Sequence, residues 1–291
     1  MSTAHGASQS GVSVGIAGLG LIGGSIALGL RARWPGVRLT GLDRPEVLRL
    51  ARDRNVIDHE VRALADLSGC DVVVLAVPVP VIVELLAEAG RTGLRGVVTD
   101  VGSTKREIMT AATAAAVPAF VGGHPMAGAE LGGLANASPD LFAGRPWMIV
   151  VGEGTSEKAV TLVERVAVTL GADARRIDAA AHDRAMAYLS HLPQLVADAL
   201  MSAAGEACGD AGLALAGRAF HEMTRVAASP SEVWRGIFAT NADYVGEAIR
   251  AFLSRLPEAR SVGDGDRTDR LFADAQRWRQ TLADAAPRHE V

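Results

Sequence analysis

Two patterns of apolar positions succeed one another along the 291 residues. Up to about position 178, short unbroken apolar runs alternate with stretches in which apolar residues recur every three or four positions; beyond it only the second pattern remains. An unbroken run suits a strand covered on both faces, and a period near 3.6 suits a helix packed by one side. Strands are therefore predicted at 12–17, 38–42, 70–78, 96–100, 147–151 and 173–177, and the run 117–121 leads into Gly122-Gly123-His124. Helices are predicted after the first strand through Leu30 and then over 46–54, 81–89, 104–116 and 157–170. Such alternation predicts an α/β fold, a doubly wound parallel sheet, followed by an all-helical C-terminal domain. Residues 1–11 read as a tail, 12–178 as the sheet domain and 179–291 as the helical domain, with helix breaks expected at Pro193, 209–212, Pro230 and Pro257.

The first strand runs into Gly18-x-Gly20-x-x-Gly23, which opens a helix. Glycine at these places allows a tight turn, close approach of backbone N–H groups to a pyrophosphate, and close helix–strand packing. The second strand ends at Asp43, twenty residues past Gly23, where a carboxylate can accept hydrogen bonds from a ribose. This places a dinucleotide on a Rossmann-type sheet, touching Gly18, Gly20, Leu21, Ile22 and Gly23. Asp43 favours NAD by repelling a 2′-phosphate, whereas Arg44 beside it leaves NADP open. Strand ends at Val77-Pro78 and Asp100 face the same crevice.

Composition narrows the class. With 49% hydrophobic and 21% charged residues, the chain can bury a large core. A net charge of -4 and no basic run argue against nucleic acid as a partner. The apolar stretch 72–86 is broken by Pro78, Pro80 and Glu84, so no membrane span is expected. The N-terminus lacks a signal-peptide pattern, and Cys70 and Cys208 fit neither a metal site nor a disulfide framework. A cytoplasmic protein acting on a small molecule, without metal, is the expectation.

Several residues could do chemistry. His124, between Gly123 and Pro125, could take a proton from a hydroxyl, or could be a structural loop histidine. Ser103 could cap the helix expected over 104–116, touch substrate, or both. His191 lies in Ser190-His191-Leu192-Pro193, where the proline should break a helix and expose backbone; a site and a satisfied core histidine both fit. Arg225 could clamp a carboxylate or form a surface salt bridge, and Arg218 and Arg235 share that ambiguity. Trp234 reads as a core anchor.

Taken together, Gly18-x-Gly20-x-x-Gly23, Asp100-Val101-Gly102-Ser103-x-Lys105, Gly123-His124-Pro125-Met126-Ala127-Gly128-x-Glu130, Ser190-His191-Leu192-Pro193 and Thr224-Arg225-Val226 with Trp234 resemble the prephenate/arogenate dehydrogenase family of tyrosine biosynthesis. The resemblance spans about 12–252. It implies oxidative decarboxylation of a cyclohexadienol, with hydride passing to a nicotinamide and the ring becoming aromatic. It implies that His124 removes the hydroxyl proton and that Ser103 assists or bridges to the nicotinamide. Arg225 would clamp a substrate carboxylate, His191 and Ser190 would hold substrate from the helical domain, and Glu130 would lie at the mouth. It also implies a homodimer built through the helical domain.

The chain departs from the family at Leu131, where lysine is frequent, and at Gln194, where histidine is common. Both positions bear on the substrate side chain, a ketone in prephenate and an ammonium in arogenate. With only a short stretch after the helical domain, no appended regulatory domain is expected. Three alternatives stand beside this reading: a 4-amino-4-deoxyprephenate dehydrogenase of an antibiotic pathway, a β-hydroxyacid-type dehydrogenase, and a non-catalytic dinucleotide sensor.

Overall fold

Strand and helix alternate through the first half as β1 (Ser13–Ala17), α1 (Leu21–Arg33), β2 (Arg38–Leu42), α2 (Pro45–Asp53), β3 (His59–Val61), β4 (Val72–Leu75), α3 (Val79–Thr92), β5 (Val97–Asp100), α4 (Arg106–Ala114), β6 (Phe120–Pro125), β7 (Pro146–Val151), α5 (Glu157–Thr169) and β8 (Asp173–Arg176). This computed structural model describes residues 11–128, 131–259 and 265–285. The strands form one sheet ordered β3-β2-β1-β4-β5-β6-β7-β8. Along β4, Val72 and Val74 enter one core and Val73 and Leu75 the other, so a strand apolar at every position serves two cores at once. Helices α1 and α5 cover the first face with Ile26, Leu30, Val163 and Leu170; α3 and α4 cover the second with Ile82, Leu86 and Ile108.

The sheet departs from the all-parallel expectation at one place. β6 and β7 pair antiparallel, Gly123 opposite Ile149 and His124 opposite Met148. A parallel return needs a crossover that carries the chain back to the start of the sheet. Between β6 and β7 the described residues hold only a short 3₁₀ turn, Leu134–Asn136, so the chain comes back in the opposite sense. The short edge strand β3 was not expected either, because His59-Glu60-Val61 buries too little to show an apolar run.

Past β8, Asp178 caps the next helix by accepting from the Ala181 amide at 2.9 Å. The helical half then contains α6 (Ala179–Met186), a π turn (Ala187–His191), α7 (Leu192–Leu213), α8 (Arg218–Thr224), a 3₁₀ turn (Arg225–Ala228), α9 (Ser231–Thr240), α10 (Ala242–Ala259) and α11 (Gly265–Ala285). The break expected at Pro193 is replaced by the π turn. The Leu192 amide bonds five residues back to Ala187, and Pro193 sits in the first turn of α7, where its missing N–H costs nothing. Gly209, at φ 58° and ψ -173°, is non-helical and divides α7 into two helical pieces across a kink, the break expected at 209–212. Pro257 does not stop α10, which runs on to Ala259, while Pro230 caps α9 as expected. The two halves meet where α4 packs on α6 and α3 on α9, with the Thr104 and Thr240 hydroxyls 2.7 Å apart.

Candidate active site

The three glycines of the first turn have three distinct surroundings. Gly18 adopts φ +96°, and a Cβ there would lie 2.2 Å from the Ala76 carbonyl oxygen. At Gly23 a Cβ would lie 1.8 Å from the Gly18 carbonyl oxygen, so helix and turn close on each other. Gly20 caps α1 and has open space where a Cβ would stand. Half-buried Leu21 and Ile22 begin the helix, whose first amides lack helical acceptors. An opening in front of unpaired N–H groups at the positive end of a helix fits a pyrophosphate. The Asp43 carboxylate accepts from the amides of Leu19 and Arg44, both at 2.6 Å, and so stands fixed at the end of β2 beside that opening. Arg44 is exposed and pairs with Glu46. Val77 and exposed Pro78 lead from β4 into α3.

His124 lies on β6, an interior strand between β5 and β7, and is partly accessible. Its Nδ1 is 2.8 Å from Nε2 of His182 on α6, and Nδ1 of His182 is 2.8 Å from Oδ1 of Asp183. Both α6 residues are fully buried. The carboxylate accepts, so His182 donates from Nδ1 and accepts at Nε2; His124 must then donate from Nδ1, leaving the lone pair on its Nε2. Burial, with the positive charge of neighbouring His182, Lys105 and His191 when protonated, holds His124 well below the usual histidine range. A neutral imidazole in a fixed tautomer can accept a proton at Nε2.

Asp183 is the hub of the site. Burial alone would raise its pKa, but bonds from His182 and from the amides of Arg106 and Lys105 hold the carboxyl below its ordinary value. Those amides, at 2.9 and 2.6 Å, are orphan donors at the start of α4, so the helix is capped by a side chain from the other half of the molecule. The cap expected from Ser103 is accordingly absent: Lys105 is the N-cap residue and no side chain of its own helix caps it. Ser103, half-buried in the β5–α4 connection, is left with its hydroxyl unengaged by that helix.

His191 is 1% exposed. Its Nδ1 lies 3.2 Å from Asn241 Nδ2, and that same amide donates to the Asp183 carbonyl at 2.8 Å. Trp234 and Phe238 pack edge-on against its ring, so Trp234 is half-buried wall rather than deep core. Burial, partly opposed by Asp183, lowers His191 to about 4. Gln194, one turn on and 2% exposed, donates to the Val226 carbonyl at 2.9 Å and to Asp198 at 3.0 Å, while its Oε1 is buried without a partner. Arg225, in the 3₁₀ turn tied to α7 through that carbonyl, is exposed, and Ser190 is half-buried. Glu130 lies outside the described residues.

The structure thus brings His124 and His191 onto one residue, Asp183, through His182 and Asn241. None of these three linking residues was singled out from the sequence. The one available signal was the His182-Asp183 pair inside an otherwise Ala-rich helix.

Comparison with known proteins identifies the family. Residues 26–175 match the family model described as prephenate dehydrogenase, nucleotide-binding domain, and residues 178–276 match prephenate dehydrogenase, dimerization domain. The chain belongs to the prephenate dehydrogenase family. A prephenate dehydrogenase of Lactococcus lactis is 32% identical over 279 residues, covering 92% of this chain and 76% of that one. The crystal structure of prephenate dehydrogenase from Aquifex aeolicus, in complex with hydroxyphenyl propionate and NAD+, shares 28% identity at a TM-score of 0.85, covering 96% of this chain and 99% of that one. Synechocystis arogenate dehydrogenase shares 28% identity at a TM-score of 0.77, covering 94% and 98%. Membership makes this chain a dehydrogenase with a nucleotide-binding sheet domain, and it removes the sensor and β-hydroxyacid readings. Among the described residues no helix is long and apolar enough to cross a membrane.

Proposed function

We propose that this dehydrogenase uses NAD to decarboxylate prephenate or arogenate oxidatively, with His124 as the proton acceptor. The observation that supports this reading is the Asp183–His182–His124 chain, which leaves a neutral imidazole with its lone pair on Nε2. The nicotinamide, when bound, supplies the hydride acceptor. His124 takes the ring hydroxyl proton as hydride leaves the same carbon, which becomes a carbonyl. The carbon–carbon bond to the ring carboxylate then breaks, carbon dioxide leaves with its electrons retained by the ring, and the proton returns to the oxygen as a phenol. Ser103 meets the same hydroxyl or the nicotinamide amide. From the helical half, Arg225 clamps a substrate carboxylate, and Ser190 and His191 shape the substrate side. Glu130, from sequence alone, stays assigned to the mouth.

Asp43 supports NAD over NADP: its fixed carboxylate would repel a 2′-phosphate, and Arg44 is occupied with Glu46.

One observation favours arogenate within the substrate pair. Val226 and Asp198 both require a donor from Gln194, which sets the amide's orientation and leaves Oε1 as the buried end without a partner. An unpaired buried acceptor is stabilised by a substrate that donates, as an ammonium does and a ketone does not.

We also assign a cytoplasmic homodimer. Exposed Leu189, Leu215, Met223 and Val233 on the helical half, together with the dimerization-domain match, support pairing there.

The test is direct. Purified protein is mixed with NAD+ or NADP+ and with prephenate, arogenate or the 4-amino analogue, and reduced nicotinamide absorbance is followed. Turnover of arogenate with NAD+ that collapses in His124→Asn, with dinucleotide affinity retained, is the expected result. Full activity in that variant would remove His124 from the chemistry.

A further inference from the structure

The stretch Asp100-Val101-Gly102-Ser103-x-Lys105 contains a charged side chain that the reaction above does not use. Lys105 is 0% exposed, a costly place for an ammonium unless it is paired and fully hydrogen-bonded. Its Nζ donates to the equally buried Asp100 carboxylate and, at 2.6 Å, to the carbonyl oxygen of Gly123. Asp100 in turn accepts the Gly123 amide at 3.1 Å through Oδ1 and the Gly102 amide at 2.7 Å through Oδ2. Both backbone polar groups of the residue before His124 are therefore held by one buried ion pair. A side chain cannot replace this glycine, since a Cβ would lie 2.5 Å from the Asp100 carbonyl oxygen.

The other support of His124 also passes through Lys105. Its backbone amide donates at 2.6 Å to Asp183 Oδ1, the same oxygen that accepts from His182. The residue thus grips the main chain before His124 with its ammonium and anchors the ring's hydrogen-bonded partners with its N–H.

We propose that Lys105 is a positioning residue for His124, setting the place of the imidazole through the Gly123 carbonyl and sustaining its electrostatic surroundings with a buried positive charge. This rests on the reading of His124 as the proton acceptor. The titratable groups acting on that imidazole are Lys105 from the β5–α4 side, His182 from α6 and His191 from the π turn, with Asp100 paired to Lys105 and Asp183 bonded to His182 behind them; β7 places Met148 opposite in register. Of these, Lys105 and Asp100 compose the pair that reaches the backbone of β6. A nearby ammonium disfavours the imidazolium form, so its removal lets His124 take up a proton at higher pH.

The test compares Lys105→Met and His124→Asn with the unaltered enzyme, checking fold by near-UV circular dichroism and thermal melting. In Lys105→Met, the Asp100 carboxylate keeps two backbone donors, Gly102 and Gly123. The expected result is a kcat lowered by about 30-fold, short of the roughly 100- to 10,000-fold that positioned proton transfer supplies in full, because His124 itself remains. KM and the NAD+ dissociation constant should stay near their original values, and the acid limb of the kcat/KM profile should move to higher pH. Should Lys105→Met fail to fold, Lys105→Gln, whose amide still donates to Asp100, carries the same test. An unchanged kcat, or a loss of kcat with the acid limb in place, overturns the proposal and leaves the pair as packing. If His124→Asn retains activity, the reading of the site falls as well; if His124→Asn is inactive while Lys105→Met behaves as the unaltered enzyme, only the positioning role falls.

Discussion

Nδ1 of His124 stands 2.8 Å from Nε2 of His182, and this contact joins interior strand β6 to the first helix of the helical half. It makes the basic nitrogen of one half depend on a carboxylate of the other, because Asp183 determines which way both imidazoles point their protons.

Replacing His182 by phenylalanine keeps the volume and removes the acceptor for His124 Nδ1–H. The tautomer is then free to invert, which takes the lone pair away from the reacting side. Stopped-flow and steady-state rates should show kcat lowered about 100-fold, with NAD+ affinity by fluorescence titration unaffected. A variant as fast as the original would show that the histidine pair does not govern turnover.

Acid should destabilise the protein through its buried histidines. Both His124 and His191 have folded values below the ordinary 6.5, His191 at about 4. The unfolded chain therefore binds protons that the folded chain refuses: stability is full above about pH 6.5 and declines as pH falls toward 4. For His191 alone the decline amounts to roughly 3 kcal/mol. Urea denaturation between pH 7.5 and 4.5 should show this slope, and His191→Gln should flatten part of it. An identical slope in the variant would exclude His191 as its source.

Gly20→Ala and Gly23→Ala should fail in different ways. At Gly20 the φ of -73° accepts alanine and nothing lies within 4 Å of the new Cβ, so melting temperature holds while NAD+ binding weakens by about tenfold or more, as the methyl enters the pyrophosphate space. At Gly23 the Cβ would meet the Gly18 carbonyl oxygen at 1.8 Å, so the melting temperature itself should drop. Equal behaviour in calorimetry and dinucleotide titration would contradict this division of roles.

Gln194→Leu removes the unpartnered Oε1 while keeping an apolar body of similar size. The ratio of kcat/KM for arogenate to that for prephenate should fall about tenfold, in line with the loss of one buried hydrogen bond to a charged group. A ratio that does not move would place the discrimination elsewhere.

Much of the fold was legible because its signals are local. The run 72–75 is apolar at every position since both faces of the sheet are covered, and the change to helical spacing alone near residue 178 marked the second half. The glycine turn and Asp43 could be placed for the same reason. Pro193 misled because a missing N–H has two remedies, a break or a widened turn, and only the packing around His191 selects the second. The reversal of β7 was hidden because strand direction depends on how the chain returns, not on the residues of the strand.

From the linear chain alone followed the two halves, the dinucleotide turn and the presence of a histidine at the end of an apolar run, all matters of spacing among near neighbours. Tertiary structure decided which protons that histidine carries. Its partners stand 58 and 59 positions further on, and helix α4 is capped by one of them rather than by its own Ser103. Hydrogen-bond direction is a property of groups in contact, and chain spacing says nothing of contact between residues that far apart until the sheet and the helices have packed.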